Sequence, residues 1–350
     1  MGKGIKVGGG SENLKPELAA QDVLIAEILE TILGKASGAN ATPDTIMEGY
    51  SAYVGKELVH GSLGKVIIDG NRQTKGLNLI TDRHVDINFS TLPYGFYNGA
   101  AVVFNGEIHI LGGEGVGKTN HYKWNGTSWV NVSTLPYPFY GGAAVVLNNE
   151  IHILGTEDYD YGSKHYKWNG TSWVNVGDMP FKFDESAAVV LNGEIHTLGN
   201  DESEHEHYKW NGTTWTSVST LPYYFRNGSA AVLNGEIHIM GSNYNPAYYD
   251  YHYKWNGTDW VDVSTLPYDF KFGSAIAFNG EIHIMGAEDG SDLHYKWNGT
   301  TWVRDSELPY NFTMGAVVEL NGELHMLGGL NISSGREFHY VLQVPLYRKV

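Results

Sequence analysis

A unit that recurs six times at intervals of 42 to 45 residues constrains this chain more than anything else in it. Leu-Pro or Met-Pro marks each copy, at Leu92, Leu135, Met179, Leu221, Leu266 and Leu308. A run of small and apolar residues follows, then Asn-Gly-Glu-Ile-His or a near variant ending at His109, His152, His196, His238, His283 and His325. Five copies continue into His-Tyr-Lys-Trp-Asn-Gly-Thr-x-Trp, from His121, His165, His207, His252 and His294, while the sixth stops short at His339-Tyr340. A period of this length means an array built from one supersecondary unit.

Each unit predicts four strands. Ala100 to Phe104 is a continuous apolar run, expected of an innermost strand buried on both faces. Asn105-Gly106 is a strong hairpin signal, because both central positions of the favoured turn need positive φ. Glu107 to Leu111 alternates, with Ile108 and Ile110 on one face and His109 on the other. His121 to Trp124 is the third strand, Asn125-Gly126 the next turn and Trp129 to Val132 the outer strand. Four strands per ~40–50 residues is the signature of a propeller blade. The fold class expected is therefore all-β, a six-bladed β-propeller over residues 82–350. The sixth unit has no Trp-initiated outer strand, but Val85-Asp86-Ile87-Asn88-Phe89 resembles Val130-Asn131-Val132. Segment 85–89 is expected to complete that blade and remove an open seam.

The repeat resembles the kelch family, whose pattern is a glycine pair ending the second strand and then a Tyr and a Trp seven residues apart. Gly112-Gly113 and Gly328-Gly329 keep the pair; Gly155, Gly199, Gly241 and Gly286 keep its first member. Tyr122/Trp129, Tyr166/Trp173, Tyr208/Trp215, Tyr253/Trp260 and Tyr295/Trp302 keep the aromatic spacing. The resemblance covers about three quarters of the chain and implies a kelch-type propeller, an architecture that by itself assigns no activity.

Ahead of the repeats stand a Gly-rich tail (1–13), a helical segment (14–35) and a linker with a small β module (36–81), together a helix-plus-β anchor. Leu18, Ile25 and Ile32 recur every seven residues with Ile28 on the same side, and Gly34 ends the helix. Such a stripe on one short helix calls for a partner, so packing against copies of itself in a homo-oligomer or against another protein is expected on residues 1–80, with docking on its own propeller as the alternative. The stretch from Ala41-Thr42 through Gly49-Tyr50 to Gly61-Ser62-Leu63 resembles a small module of phage and prophage tail and fibre proteins of Gram-positive bacteria. The Leu14 to Asp22 stretch is similar to segments of such proteins. That resemblance implies a virion protein, made in the host cytoplasm and displayed on the phage particle surface, with other virion proteins as partners through residues 1–80.

The bulk numbers narrow the chemistry. With no cysteine, disulfides, thiolate metal sites and cysteine nucleophiles are excluded. A formal charge of −16 argues against nucleic acid and anionic membranes as partners. No run of 18 apolar residues exists, so no helical membrane insertion is expected, and the start lacks the apolar core of a secretory signal.

Twelve of the fifteen histidines occupy two repeated positions, which marks them as servants of the blade rather than as a metal centre. His109 and His121 are expected as a cross-strand pair, without a third ligand in the repeat. The tryptophans are expected to clamp neighbouring blades. Function is expected where the repeats disagree, on the face formed by the loops after the second and fourth strands. There the candidate ligand-binding residues are Asp158, Tyr159, Asp160, Tyr161, Arg226, Tyr244, Tyr248, Tyr249, Lys271 and Asp289. Repeated aromatics such as Tyr94, Tyr137, Tyr223 and Tyr310 join the same loops, where, because they recur from blade to blade, they are expected chiefly to cover the ends of the core. Flat rings pack on the apolar faces of sugars while acids and amides take the hydroxyls, so this composition suits carbohydrate. The acidic clusters Asp201-Glu202-x-Glu204-x-Glu206 and Glu288-Asp289-x-x-Asp292 offer oxygen ligands for calcium but match no known loop geometry.

Three function classes follow. The leading one is a non-enzymatic, phage-type fibre or tail-associated protein whose propeller displays a face for a host-surface glycan or protein receptor. The second is a decoration or head-fibre protein with a purely structural propeller. The third is a carbohydrate-active enzyme on a kelch scaffold. No catalytic residue is nominated: the copper-radical type of kelch enzyme needs a Cys, and the sialic acid epimerase type needs more arginines than Arg226, Arg304 and Arg336.

Overall fold

The structure, a computed structural model, describes residues 51–54, 57–60, 86–199, 205–242, 245–288, 292–329 and 337–342. Among these residues the strands form six four-stranded antiparallel sheets and one two-stranded hairpin. The hairpin, Ser51–Val54 with Glu57–His60, pairs Ser51 with His60 and belongs to a compact unit separate from the sheets. The helix expected over 14–35 lies outside the described residues.

The six sheets are the blades of a β-propeller. Blade one runs outward from Ala100–Phe104 through Glu107–Leu111 and Asn120–Trp124 to Trp129–Thr134. The innermost strand of each blade adjoins those before and after it, and that of blade six adjoins that of blade one. Blade six takes Ala316–Leu320, Glu323–Leu327 and Phe338–Leu342 from the C-terminal side, and its outermost strand is Asp86–Thr91. The two ends of the repeat region thus share one sheet, and the ring has no seam held by packing alone.

The turns follow from residue chemistry. Asn105 and Gly106 both take positive φ, 52° and 75°. Blade two makes the same turn from Asn148 and Asn149, at 51° and 60°, because asparagine tolerates the left-handed region better than other side chains. The turn before the outer strand is longer than a two-residue hairpin: Asn125 Oδ1 accepts from the backbone N–H of Thr127 (3.0 Å) and Ser128 (2.9 Å). The repeated Asn-Gly-Thr is thereby explained as an Asx turn. The repeated Glu and Lys pair across strands, as in Lys123–Glu107 at 2.8 Å.

Hydrophobic burial sits in six wedges between blades rather than in one central core. In the wedge between blades one and two, Val102, Phe104 and Leu111 meet Leu135, Tyr137, Phe139, Ile151, Ile153 and Trp168. Each Leu-Pro-Tyr-x-Phe segment drops its side chains into such a wedge. Tyr94, Tyr137, Tyr223 and Tyr310 are buried there, so these aromatics do not form part of a ligand face. The hydroxyls of Tyr94 and Tyr310 each donate to a glycine carbonyl, Gly112 O and Gly328 O, at 2.7 Å. The innermost strands are only half buried, against expectation, because they wall an apolar axial channel of about 320 Å³ lined by residues such as Val145, Val189, Ala231 and Ile276.

Candidate functional site

The two histidines of each blade turn inward and bond to each other. His109 Nδ1 lies 2.8 Å from His121 Nε2, and the same contact recurs in all six blades. In blade one a bulge after His121 shifts the outer strand so that Ser133 faces it, with Ser133 Oγ 2.9 Å from His121 Nδ1. The same serine accepts from the indole N–H of Trp173, in the outer strand of the next blade, at 3.1 Å. A His–His–Ser–Trp relay therefore crosses the blade boundary. Blade two breaks it: Gly177 stands where the serine would be, and His165 Nδ1 is buried without a partner.

Burial makes these imidazoles hard to charge. It holds His109, His152, His196, His238 and His325 down to about 4, and His121, His165, His207, His252 and His339 to about 3. Each pair is thus buried, bonded to itself and kept neutral; the ring nitrogens left over, His109 Nε2 and His325 Nε2, are buried as well. Blade five alone, among the described residues, adds a third metal-capable group, Asp305 beside His283 and His294. There the Lys296 ammonium lies 3.3 Å from the Asp305 carboxylate, so the acid serves an ion pair.

The loop residues singled out from the sequence divide among three places. On blade two, Asp158 shapes its own loop: its Oδ1 accepts from Asp160 N at 3.2 Å and its carbonyl from Tyr161 N at 2.9 Å. Tyr161 stacks on buried Tyr137, with centroids 5.6 Å apart and planes 7° apart. Tyr159 is 79% exposed, with Lys182 Nζ 2.9 Å from its ring centroid. Lys271 lies 4.7 Å from the Tyr249 ring and pairs with Glu288. Arg226 pairs with Glu185 and, at 3.6 Å, with Asp184. Tyr248 closes a short 3₁₀ turn, Pro246–Tyr248. Tyr244 and Asp289, with most of the two acidic clusters, lie outside the described residues.

A feature that sequence reasoning missed lies on the propeller axis. The six residues two places before the innermost strands are Asn98, Gly141, Glu185, Asn227, Phe272 and Met314. All have positive φ, between 46° and 68°. Each backbone N–H donates to the carbonyl of its counterpart in the preceding blade, at 2.6 to 2.8 Å, and Asn98 closes the circle onto Met314. This ring surrounds a cavity of about 120 Å³ at one mouth of the channel. Asparagine and glycine suit that backbone, whereas glutamate, phenylalanine and methionine are held there at a cost of roughly 1–2 kcal/mol each.

The mouth is polar on one arc and apolar on the other. Asn98 Nδ2 donates to Glu157 Oε1 at 2.6 Å. The Glu157 carboxyl is pushed up by burial and by the charges of Glu185 and Glu114, against the opposing pull of Asn98 and Arg226. Asn227 is only 9% exposed, and its side-chain amide nitrogen has no partner; Ser186 Oγ, which lines the same cavity, has none either. Phe272 and Met314 complete the circle. The arrangement can hold a small polar molecule by hydrogen bonds on one side and by ring contact on the other.

No protein-family model matches the chain, and no curated protein matches it. Among solved structures it is similar to one described as the structure of YjhT, with a TM-score of 0.63 and 14% identity, covering 73% of this chain and 96% of that one. At that identity the likeness shows the fold alone. The chain is a six-bladed β-propeller.

Proposed function

We propose that this protein is a non-enzymatic binding module of the kelch type, carried by a phage-like fibre or tail-associated protein, whose loop face contacts a host-surface glycan. The single observation that carries the binding part is the division of labour among its side chains. The repeated histidines and most of the Leu-Pro-Tyr tyrosines are spent inside the blades and their seams. The non-repeating loops of one face, by contrast, present Tyr159 to solvent with a lysine on its ring. An exposed aromatic plate with a cation beside it, next to the acids Asp158 and Asp160, suits packing on a sugar face while charged and polar groups take the hydroxyls. The virion part rests on the resemblance carried by residues 41–63. Weak contacts repeated over several copies raise avidity by roughly 10² to 10⁴ without new chemistry.

The test is binding of the full-length protein, displayed on beads, to intact Gram-positive cells before and after wall glycans are stripped. Saturable binding that vanishes with the glycans supports the reading. Equal binding to stripped cells, or none from a folded sample, removes it in favour of a structural decoration protein.

A further inference from the structure

The geometry points to the axial mouth as a binding site for one terminal, uncharged sugar ring, with Asn227 and Glu185 taking its hydroxyls and Phe272 packing against its apolar face. This rests on the reading that the loop face binds glycans, and it names where and which kind. The first support is the unmet hydrogen-bonding capacity. A buried amide nitrogen without an acceptor costs roughly 1–3 kcal/mol, and Asn227 carries one beside the unpartnered Ser186 hydroxyl in the same cavity. An acceptor oxygen brought to the Asn227 amide would relieve that cost.

The second support is the order of residues around the ring. Asn98, Glu185 and Asn227 lie on one arc, and Phe272 and Met314 on the other. Gly141 stands across the ring from Phe272 and brings no side chain of its own. The place a β-carbon would take there is met by Glu157, 2.6 Å away. A hydroxylated ring entering along the axis thus meets carboxylates and amides on one side and an aromatic ring on the other. Hexoses have that two-sided character, with hydroxyls at the edge and C–H groups on a face. A cavity of about 120 Å³ has room for the end of a glycan and not for its body.

The third support fixes the charge. Glu157, Glu185 and Glu114 place acids close enough to the mouth to influence one another, and the Arg226 guanidinium is already paired with Glu185 and Asp184. A uronic acid, a sialic acid or a phosphate-bearing polymer would be repelled. The backbone strain at Phe272 is consistent with a side chain kept for its contact surface rather than for its fit to the turn.

The experiment is saturation-transfer NMR and titration of the full-length protein with the methyl glycosides of glucose, galactose and mannose, and with methyl glucuronide at pH 7. Asn227→Gly and Phe272→Gly are the variants of choice, because glycine suits positive φ and both should keep the melting temperature of the parent. At least one neutral glycoside is expected to bind, with affinity falling at least tenfold in each variant, and the glucuronide is expected to show no transfer. Unchanged binding of the neutral glycosides by both variants overturns the axial site. Tighter binding of the glucuronide overturns the charge argument. If the variants lose glycoside binding and also lose cell binding, both readings stand. If they bind cells as the parent does, the face reading stands and the axial assignment falls. If neither cells nor glycosides are bound by the parent, both fall.

Discussion

The indole N–H of Trp129, at the start of blade one's outer strand, donates to the hydroxyl of Ser90, in the strand that closes blade six, at 3.1 Å. Ser90 in turn lies 2.8 Å from His339 Nδ1, and His339 Nε2 lies 2.8 Å from His325 Nδ1. The bond between blade six and blade one is therefore the same bond that joins blades one and two, three and four, and four and five. Trp173, Trp260 and Trp302 reach back to Ser133, Ser219 and Ser264 at the same 3.1 Å.

Removing one such serine orphans two buried groups, the imidazole nitrogen and the indole N–H, at roughly 1–3 kcal/mol apiece. Ser133→Ala and Ser90→Ala are each expected to destabilise the propeller by about 2–4 kcal/mol. Urea unfolding checks this as a lower midpoint at unchanged slope. An effect under 0.5 kcal/mol at both sites would mean the relay is ornamental.

Acid should open the ring. Ten buried histidines have folded pKa values held by burial at about 4 or about 3, below the ordinary 6.5. The unfolded chain binds more protons, so stability rises with pH. It is fully present above about pH 6.5 and is lost as pH falls towards 4. Each group contributes at most about 1.4 kcal/mol per pH unit in that window, and ten acting together exceed the whole stability of an ordinary domain. Cooperative loss of near-ultraviolet circular dichroism between pH 6 and 4 is expected. A melting temperature flat from pH 7 to 4 would contradict it.

Two glycines with nearly the same backbone angle should behave very differently. Gly106 has φ +75° and open space where a β-carbon would stand. Gly155 has φ +60°, and its β-carbon would overlap the Phe183 carbonyl oxygen of the next blade. Gly106→Ala is expected to cost about 1–2 kcal/mol, the left-handed penalty alone. Gly155→Ala adds a clash between blades and should exceed 4 kcal/mol. Thermal melts of the two variants decide it, and similar values would place the cost in the turn rather than in the wedge.

Tyr159→Ala separates recognition from folding. The ring is 79% exposed and its contact is with Lys182, so stability should move by less than 0.5 kcal/mol. Binding of the displayed protein to cells is expected to fall at least fivefold. Unaltered cell binding would take Tyr159 out of the contact surface.

The frame was legible in the sequence because it is periodic. Leu92, Asn105-Gly106, His109 and Trp124 announce a four-stranded unit in each copy, and Phe89 near Leu92 hinted at how the circle closes. The histidine pair could be foreseen from strand alternation. The serine and the tryptophan that extend it could not, since Trp173 lies 40 residues from Ser133 and in another blade. The axial ring was invisible for a different reason. Glu185, Phe272 and Met314 are residue types that do not advertise a left-handed backbone, and a circle of bonds between successive blades leaves no local spacing to read. Arg226 and Lys271 looked like cations awaiting a ligand, but neighbouring acids already hold them, which only the folded ring brings together.

The six hydrogen bonds of that ring all run in one rotational sense, each blade donating to the one before it. Dipoles laid head to tail around a closed hexagon cancel, so the scaffold itself projects almost no field along the axis. Whatever charge or polarity the mouth shows to an arriving molecule is written by the five side chains of the ring and their immediate neighbours. The propeller is in that sense a blank socket, and related chains could exchange specificity at Asn98, Gly141, Glu185, Asn227, Phe272 and Met314 without redrawing a single blade.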